Sequence, residues 1–321
     1  MIRLLTARVW YRLCQTPTLL TIFVGLFLVT YQFVTGSLPQ TLQLGFCAFM
    51  LAVAGIPHGA LDHLVEHERS VRLNKPFSFR RFIAKYLLTM GLYAIAWLFA
   101  PVPCLLVFLL ISSWHFGETD LSNAPQTPYW LLARLAAGGF VLGFVLLTHA
   151  DETSPILSRI VQADAQVMSV WQFVANRAGA VLRGWATLIL VLTMLAYSHH
   201  PIPLNGARMI RLLSILLLAY FLPLLPSFML YFGGWHALSS FATLQNFLPV
   251  HNQKPYSALK HIWVKSLPLT LLSIFFLLLF TVGWQTIFPN FDPLPILFIF
   301  LSLITLPHIE VMYGIDNSST N

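Results

Sequence analysis

The chain has 321 residues, 57% of them hydrophobic and only 9% charged, with a mean hydropathy of +0.75. A soluble domain carries about 25% charged residues, so this composition cannot clothe a water-facing surface and points to an integral membrane protein. The net charge of +7 calls for no nucleic-acid partner, because no hydrophilic segment interleaves basic and aromatic residues as a nucleic-acid face does.

Apolar runs of roughly 17 to 25 residues are long enough to cross a bilayer. In chain order they cover Thr18–Val34, Thr41–Leu61, Tyr86–Ala100, Val102–Phe116, Tyr129–Thr148, Val181–Ser198, Met209–Leu222, Leu224–Phe247, Ser266–Phe288 and Leu294–Tyr313. Prolines 101, 103, 223 and 226 mark boundaries between neighbouring runs, since proline disfavours helix at the residue before it. Several runs are short, so eight to ten spans are expected. The first run lacks a small-x-small cleavage site behind it and is expected to stay as a span. Cys14, Cys47 and Cys104 are scattered without a CxxC pair, which gives neither a disulfide framework nor a thiolate metal site. The fold class expected is an all-α polytopic transmembrane helix bundle, a single integral-membrane domain over residues 1–321.

Basic residues orient the spans. With the N-terminus inside, the inside segments hold Arg3, Arg8 and Arg12, the cluster from Arg69 to Lys85, Arg208 and Arg211, and Lys254, Lys260 and Lys265. That is fourteen, against Arg159, Arg177 and Arg183 outside; Arg134 lies within a span. The bias puts both termini on the cytoplasmic side of the cell (inner) membrane. The long outside connection, Asp151 to Arg183, carries Ile156, Ile160, Val161, Val167, Val170, Trp171 and Val174, the pattern of an amphipathic helix on the membrane surface.

Four short patches then stand out at the ends of the apolar runs: GIPHGALDH (Gly55 to His63), SSWHFGETD (Ser112 to Asp120), FGGWHALSS (Phe232 to Ser240) and LPHIE (Leu306 to Glu310). Imidazole is costly to bury in lipid without a partner, so a histidine there is a functional-site candidate. His58, His115, His236 and His308 fall on even-numbered spans, all running outside to inside, and share the cytoplasmic half of the membrane. Convergence in one leaflet points to a shared metal ion with His58, His115 and His236 as ligands. Asp62 follows His58 by four residues, Glu118 follows His115 by three and Glu310 follows His308 by two. A metal-bound imidazole usually donates its other N–H to a carboxylate or carbonyl, and Asp62 is the candidate for that part. His63 sits where the chain leaves the bilayer; His67, His149, His251 and His261 read as solvated. His199 and His200 are adjacent, so in a helix they diverge by about 100° and cannot both face one site. Trp114 and Trp235 each precede a key histidine and are candidates for lining a cavity. Glycines 55, 59, 117, 233 and 234 flank the motifs, where small residues let helices approach closely or leave room for a flat ligand. An all-imidazole donor set suits iron, copper, zinc or nickel, and oxygen chemistry on an apolar substrate favours iron with open positions.

PHGALDH, the His-Phe-Gly of the fourth span, the Trp-His of the eighth and the closing LPH, in this order, resemble the Brp/Blh family of bacterial and archaeal β-carotene 15,15'-dioxygenases. The resemblance implies a multi-pass membrane enzyme that uses O2 to split β-carotene at its central double bond into two retinal molecules, and a functional link to a retinal-binding rhodopsin. It implies a non-haem Fe(2+) on four histidines, three of which fall on His58, His115 and His236. The fourth, in a His-x-x-x-His pattern, falls on Ser240. A serine hydroxyl is a poor neutral ligand for iron, so His308 or His199, a water held by Ser240, or three histidines alone remain open for that position. No catalytic acid or base is implied beyond the metal ligands. Two other readings stand beside this one: another oxygen-dependent membrane enzyme acting on a lipid or isoprenoid, and a non-enzymatic metal- or haem-binding, transporter-like membrane protein.

Overall fold

The computed structural model describes residues 17–122, 124–203, 205–248, 255–287 and 294–318. Arg3, Arg8, Arg12, Cys14, His251 and Lys254 lie outside the described residues. The described chain is all-α, with no strand among the described residues. Eight of its helical stretches are long and apolar enough to cross a membrane by length and composition, as in a multi-pass membrane protein. This is the lower end of the span count expected from sequence. The two runs that drop out, Met209–Leu222 and Leu224–Phe247, are a 16-residue helix and a chain of three short segments.

The residues form two compact units. The first takes its described residues from 17–77, 205–283 and 317–318. It holds α1 (Pro17–Thr35), α2 (Gln40–Met50), a π-helical segment Leu51–Gly55, α3 (Ile56–Gly59) and α4 (Asp62–Arg72). It then takes α11 (Gly206–Phe221), α12 (Leu224–Tyr231), a second π-helical segment Phe232–Ala237, α13 (Leu238–Phe247) and most of α14 (Pro255–Ile287). The helix starts follow local chemistry. Pro39 precedes α2, Pro223 precedes α12 in an extended conformation, and the Asn205 side chain accepts from the Arg208 N–H at 3.0 Å to cap α11, satisfying one of the donors a helix start leaves open.

Both π-helical segments have a physical cause. In an α-helix the Val53 carbonyl would accept from residue 57, but Pro57 has no N–H to give. The carbonyl instead accepts from the Trp263 indole Nε1–H at 2.9 Å. The second segment carries the pair Gly233 and Gly234, and the Gly234 carbonyl accepts from the buried Thr21 hydroxyl at 2.8 Å. Irregular backbone inside an apolar segment is tolerable only where its polar groups find such donors.

The second unit takes its described residues from 78–204 and 284–316. It holds α5 (Phe79–Phe99), α6 (Pro101–Asp120), α7 (Pro128–Thr148), α8 (Ala150–Ile160), α9 (Ala165–Ala175), α10 (Ala178–His199) and most of α15 (Leu294–Ser318). Its tightest pairing is α6 on α7. A Cβ on Gly117 would overlap the Arg134 carbonyl, and one on Gly138 would overlap the Ser113 carbonyl, so the two backbones cross in contact. On the other side of α7, Gly139 and Gly143 receive the Trp185 ring of α10, 2.8 and 2.7 Å from where their Cβ atoms would stand. Small residues at crossings are how apolar helices associate where lipid offers no hydrophobic drive. A separate core gathers Tyr93, Trp97, Cys104, Leu105, Phe108, Ile160 and Val161.

The connection from Asp151 to Arg183 differs from the single amphipathic helix expected. It is two helices, α8 and α9, broken at Gln162 and Ala163, which both take positive φ. The Trp171 indole of α9 donates to the Ser154 hydroxyl of α8 at 2.8 Å. His149 is buried rather than solvated, because its Nδ1–H returns to the Val145 carbonyl at 2.8 Å at the end of α7. His67 and His261 are exposed, as expected.

Candidate functional site

Each unit brings one pair of buried histidines together. In the first, His58 follows the first π-helical segment and His236 lies within the second. The two segments pack on each other through glycine: a Cβ on Gly55 would stand 3.1 Å from a Phe232 ring carbon, and one on Gly233 would stand 3.0 Å from Met50 Cβ. Gly55 and Gly233 therefore serve close approach. The His58 and His236 ring centres are 5.7 Å apart with planes at 84°. Phe232 fixes that angle from both sides. It stacks on His236 at 6.0 Å and 13°, and meets His58 edge-on at 5.9 Å and 71°. Phe228 stacks on Phe232 in turn at 5.4 Å and 6°, so Phe228, Phe232 and His236 form a column one helical turn apart. The His58 Nδ1–H points to the Ala54 carbonyl at 3.3 Å, which leaves Nε2 as the nitrogen with a lone pair.

Asp62 is buried at the first position of α4, but the helix is interrupted at Ala60 and Leu61 between it and His58, so one continuous helix face does not carry both. His63 is half-buried and its Nδ1 returns to the Ala60 carbonyl at 3.1 Å. Trp235 is fully buried with the Arg208 guanidinium 4.8 Å above its ring. Ser240 is buried one turn after His236, and its hydroxyl donates to the His236 carbonyl at 2.9 Å.

In the second unit His115, late on α6, meets His308, which follows Pro307 inside α15. Their ring centres are 5.1 Å apart with planes at 86°. Glu118 places Oε2 3.8 Å from His115 Nδ1, both side chains being largely buried. The Trp114 indole, one turn before Glu118, donates to its carboxylate, and the positive charge of Arg134 on α7 acts on it. Arg134 is itself buried and donates to the Ala124 carbonyl. Glu310 turns outward to an exposed ion pair with Lys85. His199 and His200 are exposed at the end of α10, His199 stacked on Tyr129 at 4.5 Å and 10°.

Within this arrangement Phe232, the Ala54 carbonyl, Thr21 and Arg134 are the participants that spacing did not reveal. A charge in an apolar run marks Arg134 in hindsight; Thr21 leaves no mark in the sequence. Among the described residues no three His, Cys, Asp or Glu side chains gather closely enough to hold a metal ion, so each unit supplies a pair. The donor chemistry nevertheless fits a borderline metal such as iron. The paired groups are imidazoles, and neither described cysteine, Cys47 or Cys104, adjoins them in a ring contact or hydrogen bond.

Comparison with known proteins bears on the same residues. The family described as Beta-carotene 15,15'-dioxygenase matches residues 49–316, a span that includes all four paired histidines. A "Beta-carotene 15,15'-dioxygenase" from an uncultured marine bacterium, 66A03, is 27% identical over 203 residues, covering 61% of this chain and 68% of the relative. A "Probable beta-carotene 15,15'-dioxygenase Blh" from Halobacterium salinarum is 34% identical over 119 residues, covering 36% of this chain and 34% of the relative. No solved structure matches the chain.

Proposed function

Since the chain belongs to the beta-carotene 15,15'-dioxygenase family, whose members are oxidoreductases, we propose that it cleaves β-carotene or a related carotenoid centrally with O2 to give retinal. The cofactor in this reading is a non-haem Fe(2+) ligated by His58, His115 and His236, with His308, or a water held by Ser240, in the fourth position. Asp62 is an orienting group, and Trp114 and Trp235 line the substrate's path. The enzyme is embedded in the cell (inner) membrane with both termini cytoplasmic, draws its substrate from the lipid bilayer, and supplies retinal to a rhodopsin.

The observation that carries the reading is the pair of buried, mutually perpendicular imidazoles in each unit. Imidazole binds metal in its neutral form, and burial among apolar helices is costly unless it has such a use. Ferrous iron, when bound, supplies the electrons that let ground-state dioxygen react with a polyene. The chain's own contribution is geometric. The Ala54 carbonyl and the face of Phe232 set the His58 and His236 ring planes, and the Phe228–Phe232 column excludes water from that side. One β-carotene and one O2 give two retinal molecules with no net proton transferred, so no side chain has to act as acid or base. The serine at 240 keeps the second reading in view, a related oxygen-dependent enzyme acting on another isoprenoid or lipid.

The pigment assay tests the substrate. Cells that make β-carotene should bleach and accumulate retinal when they express the chain; unchanged colour with well-folded protein overturns the carotenoid assignment. The ligand set is tested separately by iron content. His58→Ala, His115→Ala and His236→Ala should each abolish stoichiometric iron, and any variant that keeps it removes its residue from the ligand set. Ser240→His should raise iron occupancy if position 240 is a lapsed ligand site.

A further inference from the structure

We propose that Glu118 is a positioning residue for His115, holding its imidazole as the Nδ1–H tautomer so that Nε2 carries the lone pair; this rests on the reading of His115 as a metal ligand. A carboxylate in an apolar, membrane-length helix needs a reason to be there. Glu118 lies one turn after His115, with Oε2 3.8 Å from Nδ1 and only 12% of its side chain exposed. The Trp114 indole on its own helix donates to the carboxylate, and the charge of Arg134 on α7 acts on it through space. Arg134 is anchored by its donation to the Ala124 carbonyl.

The local fold places these groups deliberately. Gly117 stands between His115 and Glu118, and its missing Cβ admits the Arg134 carbonyl, so α7 is pressed against α6 at this very turn. The result is a buried sequence of groups, from the Ala124 carbonyl through Arg134 and Glu118 to His115, whose ring meets His308 at 86°. In a neutral imidazole only one nitrogen bears the proton, and a neighbouring carboxylate draws that proton to the nitrogen facing it. The 3.8 Å separation is longer than a hydrogen bond, and the contact is one that closes when the site is loaded, as such contacts commonly do. A plain staple between α6 and α7 would need Arg134 and Glu118 but would be indifferent to the proton on His115.

Two measurements separate these roles. In the metal-free, full-length protein labelled with 15N-histidine, with His115 assigned by its loss in His115→Gln, Nδ1 is expected to be protonated and Nε2 not. The opposite tautomer overturns the proposal whatever the variants do. In Glu118→Gln, Fe(2+) affinity measured by competition with a chelator is expected to fall about 10- to 100-fold; an affinity within twofold of the parent protein in a folded variant overturns it as well. If Glu118→Gln fails to fold, the tautomer in the parent protein decides. Unchanged iron affinity in His115→Gln would sink the ligand reading itself, a failure distinct from a silent Glu118→Gln beside a damaging His115→Gln.

Discussion

The two histidine pairs reach almost the same internal geometry by different means. His58 and His236 are set by backbone irregularity: two π-helical segments, close glycine contacts, a carbonyl and a stacked phenylalanine. His115 sits within an uninterrupted α-helix beside the buried Glu118, and His308 follows Pro307 inside its α-helix. Ring planes near perpendicular therefore need no single scaffold. One unit fixes imidazoles with π-helical segments whose carbonyls are capped from other helices, the other on α-helices with a buried carboxylate beside one ring.

The contrast predicts different tolerance to an added methyl group. Gly138→Ala and Gly117→Ala push a Cβ into backbone that cannot turn aside, so each should cost about 1–3 kcal/mol or more and sharply lower the thermal midpoint in detergent. The atoms nearest to a Cβ at Gly234 belong to the Thr21 side chain, and those nearest to one at Gly233 to the Met50 side chain and, further off, its carbonyl. Gly234→Ala should cost less than the α6–α7 variants. Gly233→Ala should be near neutral, since alanine also gains about 1 kcal/mol of helix preference over glycine. Equal losses at all four positions would break the comparison.

Removing hydroxyls sharpens it. Thr21→Val withdraws the donor to the Gly234 carbonyl, leaving a buried acceptor without it, at a cost of about 1–3 kcal/mol. Ser113→Ala removes a hydroxyl that donates to the Leu109 carbonyl one turn back in a regular helix, whose carbonyl keeps its helical N–H partner; stability should change by less than about 0.5 kcal/mol. Chemical denaturation of the two variants side by side reads the difference. Phe232→Leu keeps apolar volume but gives up ring stacking worth about 0.5–1.5 kcal/mol. Its iron affinity should fall more than its thermal midpoint does, because the two imidazole planes lose their common support. A fall in stability alone would assign Phe232 to packing.

Much of this was legible in the chain. Long apolar runs broken by Pro101 and Pro223 return as helices with those boundaries, because helix formation and proline's missing N–H are local matters. The histidines stood out because imidazole is out of place in an apolar run. The run Leu224–Phe247 returns as helix throughout, but composition does not show that its hydrogen-bond pattern turns π-helical at Phe232–Ala237. The Asp151–Arg183 connection misled, because apolar periodicity does not show where φ turns positive at Gln162 and Ala163.

By itself, then, the sequence determined the fold class, the apolar helices and which imidazoles are out of place, as these follow from composition and neighbours a few residues apart. Only tertiary structure decided that His58 meets His236 and His115 meets His308, that Thr21 caps a carbonyl on a distant helix, and that Gly117 brings Arg134 against Glu118's turn. Those contacts join positions far apart in the chain, and they depend on how closely two backbones can approach, which is set jointly by both helices.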